Sequence, residues 1–345
     1  MKFKIKAYSL QELGQRANQE DSLFPALGKS TSDDRLFVLC DGMGGHEKGE
    51  VASATVCETI SCVILSTWHP DEALSDELFQ QALSSAFDAL DAKDNGEERK
   101  MGTTLTFLCL HANGATVAHI GDSRIYQLRP ASDTTPAHVV FRTQDHSLVN
   151  DLVKIGEITE EEAKHHPQKN VITRAMQPCQ EHRAKADIVH LTDIQPGDYF
   201  FMCSDGMLEQ STDDNILNII TKPNVSDEHK LEMLRQVTEE NKDNHTAHLI
   251  YISDVANSVV EDVSVCTSST ESHDMLISAT FSKTKKNKIK KLIIWTAIAV
   301  VIVFAISVIS FLVFDGHKAE KNKNHNHIIK VDTIKEKSHL VITRK

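Results

Sequence analysis

Three short apolar runs in this chain end on an aspartate, and this repeated pattern restricts the fold more than any other feature. Residues 36–41 read LFVLCD, residues 117–122 read VAHIGD, and residues 199–205 read YFFMCSD. Apolar runs of four to eight residues bounded by turn residues are typical of buried strands. Strand ends in one sheet system can bring carboxylates to a common edge, although an Asp-Gly pair after a strand is also a common turn.

Other runs extend this pattern to a mixed domain. Predicted strands cover residues 36–40, 105–110, 116–120, 139–142, 199–203 and 248–252. Two helical patterns lie between them, at residues 49–68 and 75–92, and Ser75 is placed to cap the second. A strand, two helices and then a series of hairpins indicate an α+β domain whose helices pack on antiparallel sheets.

Charge divides the chain into two unequal parts. Residues 1–282 carry 23 Lys and Arg against 45 Asp and Glu, whereas residues 283–345 carry 14 against 4. The acidic part predicts no nucleic-acid partner, because phosphate backbones are bound mainly by basic surface. It is compatible with binding of divalent cations or of basic protein substrates.

Residues 292–314 are 23 consecutive residues without a charge, and six lysines lie in residues 283–291. As a helix this segment would be about 35 Å long, enough to cross a bilayer. The alternative, a buried core helix, is unusual at this length. Because the positive-inside rule places the lysines in the cytoplasm, we expect a single-pass protein of the inner (cytoplasmic) membrane with a cytoplasmic domain.

The expected organisation therefore has four parts. Residues 1–254 form the globular domain, residues 255–291 a linker with a basic juxtamembrane end, residues 292–314 a transmembrane helix, and residues 315–345 a short polar tail outside the cytoplasm.

Seven segments in a fixed order resemble a known family. They read RANQEDS, DGMGGHEKGEVAS, MGTTLTF, HIGDSRIYQLR, TQDHSLVNDLVKIGEITEEEAKHHPQKNVITRAM, GDYFFMCSDGMLEQ and DNHTAHLIYI. Together they closely resemble the bacterial branch of the PPM (type 2C) metal-dependent serine/threonine protein phosphatases, over about residues 5–254. The resemblance implies an antiparallel β-sandwich flanked by helices, with a two-metal centre at one edge.

The resemblance also implies roles for four metal-site residues. Asp41 would bridge two cations, Mn²⁺ or Mg²⁺, and the carbonyl of Gly42 would bind one of them. Asp205 and Asp243 would complete the other site. Oxygen ligands of this kind suit hard cations that retain several waters.

Further roles follow from the same resemblance. Glu20 and Asp21 would hold metal-bound waters, and Asp122 would bind a third, weaker metal ion. Arg16 would bind the substrate phosphate, since a guanidinium offers two parallel donors to phosphate oxygens. Residues 145–190 would form a mobile flap beside the site.

The activity implied is hydrolysis of phosphoserine and phosphothreonine in cytoplasmic proteins by a water activated between the two metals, opposing a cognate Ser/Thr kinase. No protein nucleophile is needed. Eukaryotic relatives have a histidine after the Asp-Gly pair, proposed as the general acid, whereas Met43 stands here. We therefore expect a metal-bound water to protonate the leaving group, and we interpret the nearby His46 as structural.

Two alternatives compete with this interpretation. The first is a non-catalytic pseudophosphatase, a membrane-anchored docking module that binds phosphoproteins through the same fold; loss of a metal ligand would mark it, and none is lost. The second keeps the enzyme but gives it one specific anti-sigma antagonist as substrate. Relatives of that kind usually carry an added sensor domain, and this chain has only a short tail.

Overall fold

Side-chain alternation along the strands builds two antiparallel sheets that pack face to face. A computed structural model gives the fold, and it describes residues 1–44, 48–94, 96 and 100–256. Residues 257–345, with the predicted transmembrane helix and tail, lie outside the described residues, as does His46. Residues Met1–Glu261 form one compact unit.

The two sheets have five strands each among the described residues. The first has the order β1-β12-β11-β8-β9, with β1 (Lys2–Glu12), β8 (Arg124–Arg129), β9 (His138–Arg142), β11 (Tyr199–Cys203) and β12 (His245–Ala256). The second has the order β10-β7-β6-β3-β2, with β2 (Ser22–Phe24), β3 (Leu36–Cys40), β6 (Leu105–His111), β7 (Gly114–Ile120) and β10 (Asp187–Leu191). A two-stranded ribbon joins β4 (Gly42–Met43) to β5 (Gly102–Thr103).

The strand β3 shows how the layers are made. Its side chains alternate between two faces: Phe37 and Leu39 pack between the sheets, whereas Leu36 and Val38 pack against helices on the outer side. Since both faces are covered, all five residues of β3 are buried.

Helices cover both outer faces of the sandwich. On one side lie α1 (Gly49–Thr67) and α2 (Asp76–Asp91). On the other lie α5 (Asp213–Ile220) and α6 (Asp227–Val237). Two short helices, α3 (Leu148–Lys154) and α4 (Glu160–Lys164), belong to the predicted flap, and a 3-10 helix covers Asp205–Leu208.

The predicted α+β architecture is confirmed. The predicted bounds of β3 and β11 match the structure, and the side chain of Ser75 caps α2 by accepting a hydrogen bond from the Leu78 backbone N–H. One of the predicted hairpins is formed by β6 and β7, which pair antiparallel. The last strand of the described residues, β12, ends at Ala256.

Within the described part of the chain, one helix, α1, is long and apolar enough to cross a membrane. However, Ala52, Val56 and Ile60 of α1 are fully buried in the layer between this helix and the second sheet. Such burial is typical of a core helix, which meets the same criteria of length and composition.

Candidate active site

Asp41 lies at the end of the sandwich, directly after β3. It continues the alternation of Phe37 and Leu39, whose side chains lie between the two sheets. Its backbone is held on both sides by Thr104, because the Asp41 N–H donates to Thr104 Oγ1 (3.0 Å) and the Asp41 carbonyl accepts from the Thr104 N–H (2.9 Å). The carboxylate is thus fixed where the apolar layer opens to solvent.

Asp205 and Asp243 reach the same place from the other sheet. Asp205 begins the 3-10 helix after β11, and Asp243 lies two residues before β12. Since β11 and β12 are hydrogen-bonded neighbours, these two residues lie at adjacent strand ends. The carboxyl groups of Asp205 and Asp41 lie close enough for each to shift the pKa of the other, so the structure brings together carboxylates from both sheets.

Glu20 and Asp21 occupy the segment that leads into β2. Asp21 is 4% exposed, and its carboxylate accepts a hydrogen bond from the Ser204 hydroxyl at 2.9 Å. The Glu20 backbone carbonyl accepts from the Gly42 N–H at 3.1 Å. These bonds place both acidic residues beside the segments that carry Asp41 and Asp205.

Gly42 allows three segments to approach closely. A Cβ on Gly42 would lie 2.3 Å from the Gly49 carbonyl oxygen and 2.4 Å from that of Glu20. Real Cβ atoms do not approach so closely, and only glycine fits where backbones meet in this way. Gly42 therefore lets the start of α1 and the Glu20 segment lie against Asp41.

Asp122 lies in the turn between β7 and β8. Its Oδ1 atom is buried and has no hydrogen-bond partner in the structure. Buried carboxylate oxygens are normally satisfied, and one without a partner requires an explanation. A bound cation would satisfy this atom.

The acidic residues perturb one another strongly. Burial raises the pKa of Asp41 well above its usual range, and Asp21, Asp205 and Asp122 raise it further. Burial is also the main cause that raises the pKa of Asp21 to about 7 and the pKa of Asp122 to about 8. The pKa of Asp205 is raised by burial and then by Asp243. Such a cluster is unfavourable when ionised unless a cation neutralises it.

This arrangement fits hard divalent cations. The converging donors are carboxylate and carbonyl oxygens, which Mg²⁺ and Mn²⁺ prefer. Two features of the structure favour a bound cation. One is the unpartnered oxygen of Asp122, and the other is the mutual repulsion of Asp41, Asp205 and Asp21.

Arg16 lies at the open side of this cluster. Its guanidinium donates to Asp243 Oδ2, while its side chain remains 56% exposed. The hydrogen bond to Asp243 is the main cause that raises the pKa of Arg16. A charged and accessible guanidinium beside the carboxylates is suited to binding an incoming phosphate.

A second cluster, His119, His146 and Asp187, was not predicted, and its ligand atoms lie within 4.8 Å of one another. Because the Gly121 N–H donates to His146 Nδ1 at 3.1 Å, the neutral ring carries its proton on Nε2. That nitrogen lies 3.1 Å from Asp187 Oδ2 and 3.2 Å from an Arg174 guanidinium nitrogen. The proton on His146 Nε2 and the positive charge of Arg174 both lie at the centre of this cluster. The cluster is therefore a hydrogen-bond network and is unsuited to binding a cation.

Asn244 is a functional candidate that sequence reasoning missed. Its side chain is 4% exposed and holds the segment that carries Arg16. The amide donates to the Leu13 carbonyl (2.8 Å) and the Asn18 carbonyl (3.0 Å), and its oxygen accepts from the Glu20 N–H (2.7 Å). The one signal in the sequence is an amide directly after Asp243 at the start of a buried strand.

Comparison with known proteins agrees with this geometry. A family profile described as Protein phosphatase 2C matches residues 13–247. A putative protein phosphatase 2C-type from Streptococcus pyogenes is 36% identical over 200 residues, which cover 58% of this chain and 78% of that protein.

Solved structures extend the likeness to the fold. The crystal structure of the serine/threonine phosphatase PstP/Ppp of Mycobacterium tuberculosis has a TM-score of 0.59 at 30% identity, covering 73% of this chain and 100% of that one. The catalytic domain of PstP in complex with two manganese ions has a TM-score of 0.57 at 29% identity, with the same coverage.

Proposed function

Because this chain belongs to the protein phosphatase 2C family and is a protein-serine/threonine phosphatase, we propose that it hydrolyses phosphoserine and phosphothreonine at a centre of two divalent cations, Mn²⁺ or Mg²⁺. One observation carries this proposal: Asp41 and Asp205, which follow strands of two different sheets, converge at a site where burial raises the pKa of both. The two manganese ions in the PstP structure support it.

Four residues would hold the cations. Asp41 would bridge them, the Gly42 carbonyl would bind one, and Asp205 and Asp243 would bind the other. When bound, the two cations would lower the pKa of a water between them to near neutral and screen the charge of the phosphate.

Three further acidic residues surround this centre. Glu20 and Asp21 would hold waters bound to the cations, since their segment is hydrogen-bonded to Gly42 and Ser204. Asp122, with its unpartnered oxygen, would hold a third and weaker cation.

Arg16 would bind and orient the substrate. Its planar guanidinium can donate two parallel hydrogen bonds to phosphate oxygens, which turns the ester toward the cations. Met43 follows Gly42, and its thioether has no proton to give. We therefore propose that a water protonates the serine or threonine oxygen as it leaves.

The partners and location are part of the proposal. Substrates would be cytoplasmic phosphoproteins modified by a cognate Ser/Thr kinase, and the uncharged residues 292–314 would anchor the chain in the inner membrane. Cell fractionation tests the anchor: the full chain should sediment with membranes, and a variant lacking residues 292–314 should not. Equal distribution of both proteins would contradict it.

The activity is tested with a phosphothreonine peptide and the full chain purified in detergent. We expect phosphate release with Mn²⁺, none with EDTA, and a loss of at least about 100-fold for Asp205→Asn, because Asp205 would hold one of the two cations that activate the water. A folded protein that binds Mn²⁺ without releasing phosphate would instead be the pseudophosphatase.

A further inference from the structure

Thr104 lies between Asp41 and the turn that carries Asp122. β6 lies between β3 and β7 in the second sheet. In the register that pairs Leu39 with Thr106, Asp41 falls opposite Thr104. On the other side, Gly121 packs so tightly that a Cβ there would lie 2.6 Å from Thr104 Cγ2. Thr104 thus touches the residue that precedes Asp122 as well as Asp41 itself.

The side-chain hydroxyl of Thr104 makes two contacts, one toward each carboxylate. It accepts a hydrogen bond from the Asp41 N–H at 3.0 Å, and it shares a hydrogen bond of 2.9 Å with the Ser123 hydroxyl. Ser123 directly follows Asp122 in the chain. Thr104 and Ser123 are 0% and 1% exposed, so water cannot readily replace these bonds.

The methyl group of Thr104 makes a separate contact, with Gly121. Gly121 has a φ of +106°, a conformation that side-chain-bearing residues rarely adopt, and it lies against this methyl group. One buried residue therefore fixes the Asp41 backbone through its hydroxyl and the turn of Asp122 through both its hydroxyl and its methyl group.

We propose that Thr104 is a positioning residue that sets the spacing between Asp41 and Asp122, and thereby couples the two-cation centre to the third cation. This inference rests on the proposed function, since the carboxylates must bind cations. It assigns a role in metal affinity to a residue outside the proposed set of metal ligands. Residues that orient metal ligands contribute strongly to affinity without touching the metal.

Three substitutions separate the contacts. Thr104→Val keeps a methyl group toward Gly121 and removes the hydroxyl, whereas Thr104→Ser keeps the hydroxyl and removes the methyl group. Ser123→Ala removes only the bond toward the Asp122 turn.

Thr106→Val is the matched control for the loss of a buried hydroxyl. Thr106 lies two residues further along the chain, in β6, and is equally buried, but its hydroxyl donates to the Leu39 carbonyl at 2.9 Å, away from the carboxylates. A general effect of the substitution on stability should therefore appear in both valine variants.

The measurement is Mn²⁺ binding to the full chain, followed by the EPR signal of free Mn²⁺, with the melting temperature recorded for each variant. We expect Thr104→Val to raise the half-saturating Mn²⁺ concentration about tenfold. Thr104→Ser should keep the affinity for the two tighter Mn²⁺ ions within about twofold of the parent, and Thr106→Val should do so for every bound Mn²⁺. Ser123→Ala should lose the weakest Mn²⁺ and keep the other two.

Equal Mn²⁺ affinities for Thr104→Val and Thr106→Val, at similar melting temperatures, would overturn the inference. So would a Thr104→Ser variant as weak as Thr104→Val, because the hydroxyl would then be irrelevant. Failure of the proposed function looks different: the parent chain itself would bind no Mn²⁺.

Discussion

Replacing Asp122 by asparagine should stabilise the metal-free protein, and the gain should grow with pH. Burial, followed by the charges of Asp205 and Asp145, raises the pKa of Asp122 from 3.8 to about 8. A carboxyl group whose pKa is raised by folding binds a proton more tightly in the folded state. Stability is therefore lost as pH rises from the unfolded pKa of about 4 toward the folded pKa of about 8.

The size of this effect follows from linkage. Each pH unit between these two pKa values costs about 1.4 kcal/mol for one group. An asparagine side chain cannot ionise, so the difference in unfolding free energy between Asp122→Asn and the parent should widen by about 1.4 kcal/mol per pH unit. Buried histidines also titrate, since burial lowers the pKa of His248 to about 4, but their contribution is common to both proteins and cancels.

Urea unfolding in EDTA at pH 5.5, 6.5 and 7.5 measures the difference. The fluorescence of Trp68, which is 4% exposed in the layer between α1, α2 and the sheet, reports unfolding. Saturating Mn²⁺ should shrink or reverse the advantage of Asp122→Asn, because the cation neutralises the carboxylate. A difference that is independent of pH, or a destabilised variant in EDTA, would contradict a raised pKa of Asp122 in the folded protein.

Two further predictions concern residues that shape the site. Asn244→Ala removes three side-chain hydrogen bonds and should lower the unfolding free energy by about 3 kcal/mol, at about 1 kcal/mol each. It should also raise KM for a phosphopeptide, since those bonds hold the segment of Arg16. An unchanged KM would contradict this prediction. Gly42→Ala should lower the unfolding free energy by about 3 kcal/mol and abolish Mn²⁺ binding, because its Cβ would lie 2.3 Å from the Gly49 carbonyl oxygen. The control is Gly156→Ala, at φ +78° with open space around it, which should lower the unfolding free energy by about 1 kcal/mol and keep Mn²⁺ binding. Equal losses of stability and of Mn²⁺ binding in both glycine variants would count against a packing role for Gly42.

The buried strands could be predicted from the sequence, and the edge strands could not. β3 and β11 are fully buried runs of five apolar residues, so burial on both faces marks them in the sequence. β10 is an edge strand with mostly exposed or half-exposed residues, and its short sequence DIVHL carries no comparable pattern. β1 alternates lysines with buried Phe3 and Ile5, and its pairing with β12 depends on a partner more than 230 residues away.

The candidate site was predictable at the level of its acidic residues. Aspartates after apolar runs indicated strand-end carboxylates, but only the family resemblance indicated which of them meet. Thr104 and Asn244 escaped prediction for a physical reason. Their side chains bond to backbone groups of segments distant in sequence, and the identity of such partners depends on the tertiary arrangement alone.

Asp41 is proposed to bridge two cations, and the number of Mn²⁺ ions bound by its variants depends on whether it does. Equilibrium dialysis of the full chain should give at least two Mn²⁺ per molecule for the parent. Asp205→Asn should lose mainly one of them, whereas Asp41→Asn should lose both, since a bridging ligand serves both ions. An Asp41→Asn variant that is folded and still binds two Mn²⁺ with parental affinity would contradict the account.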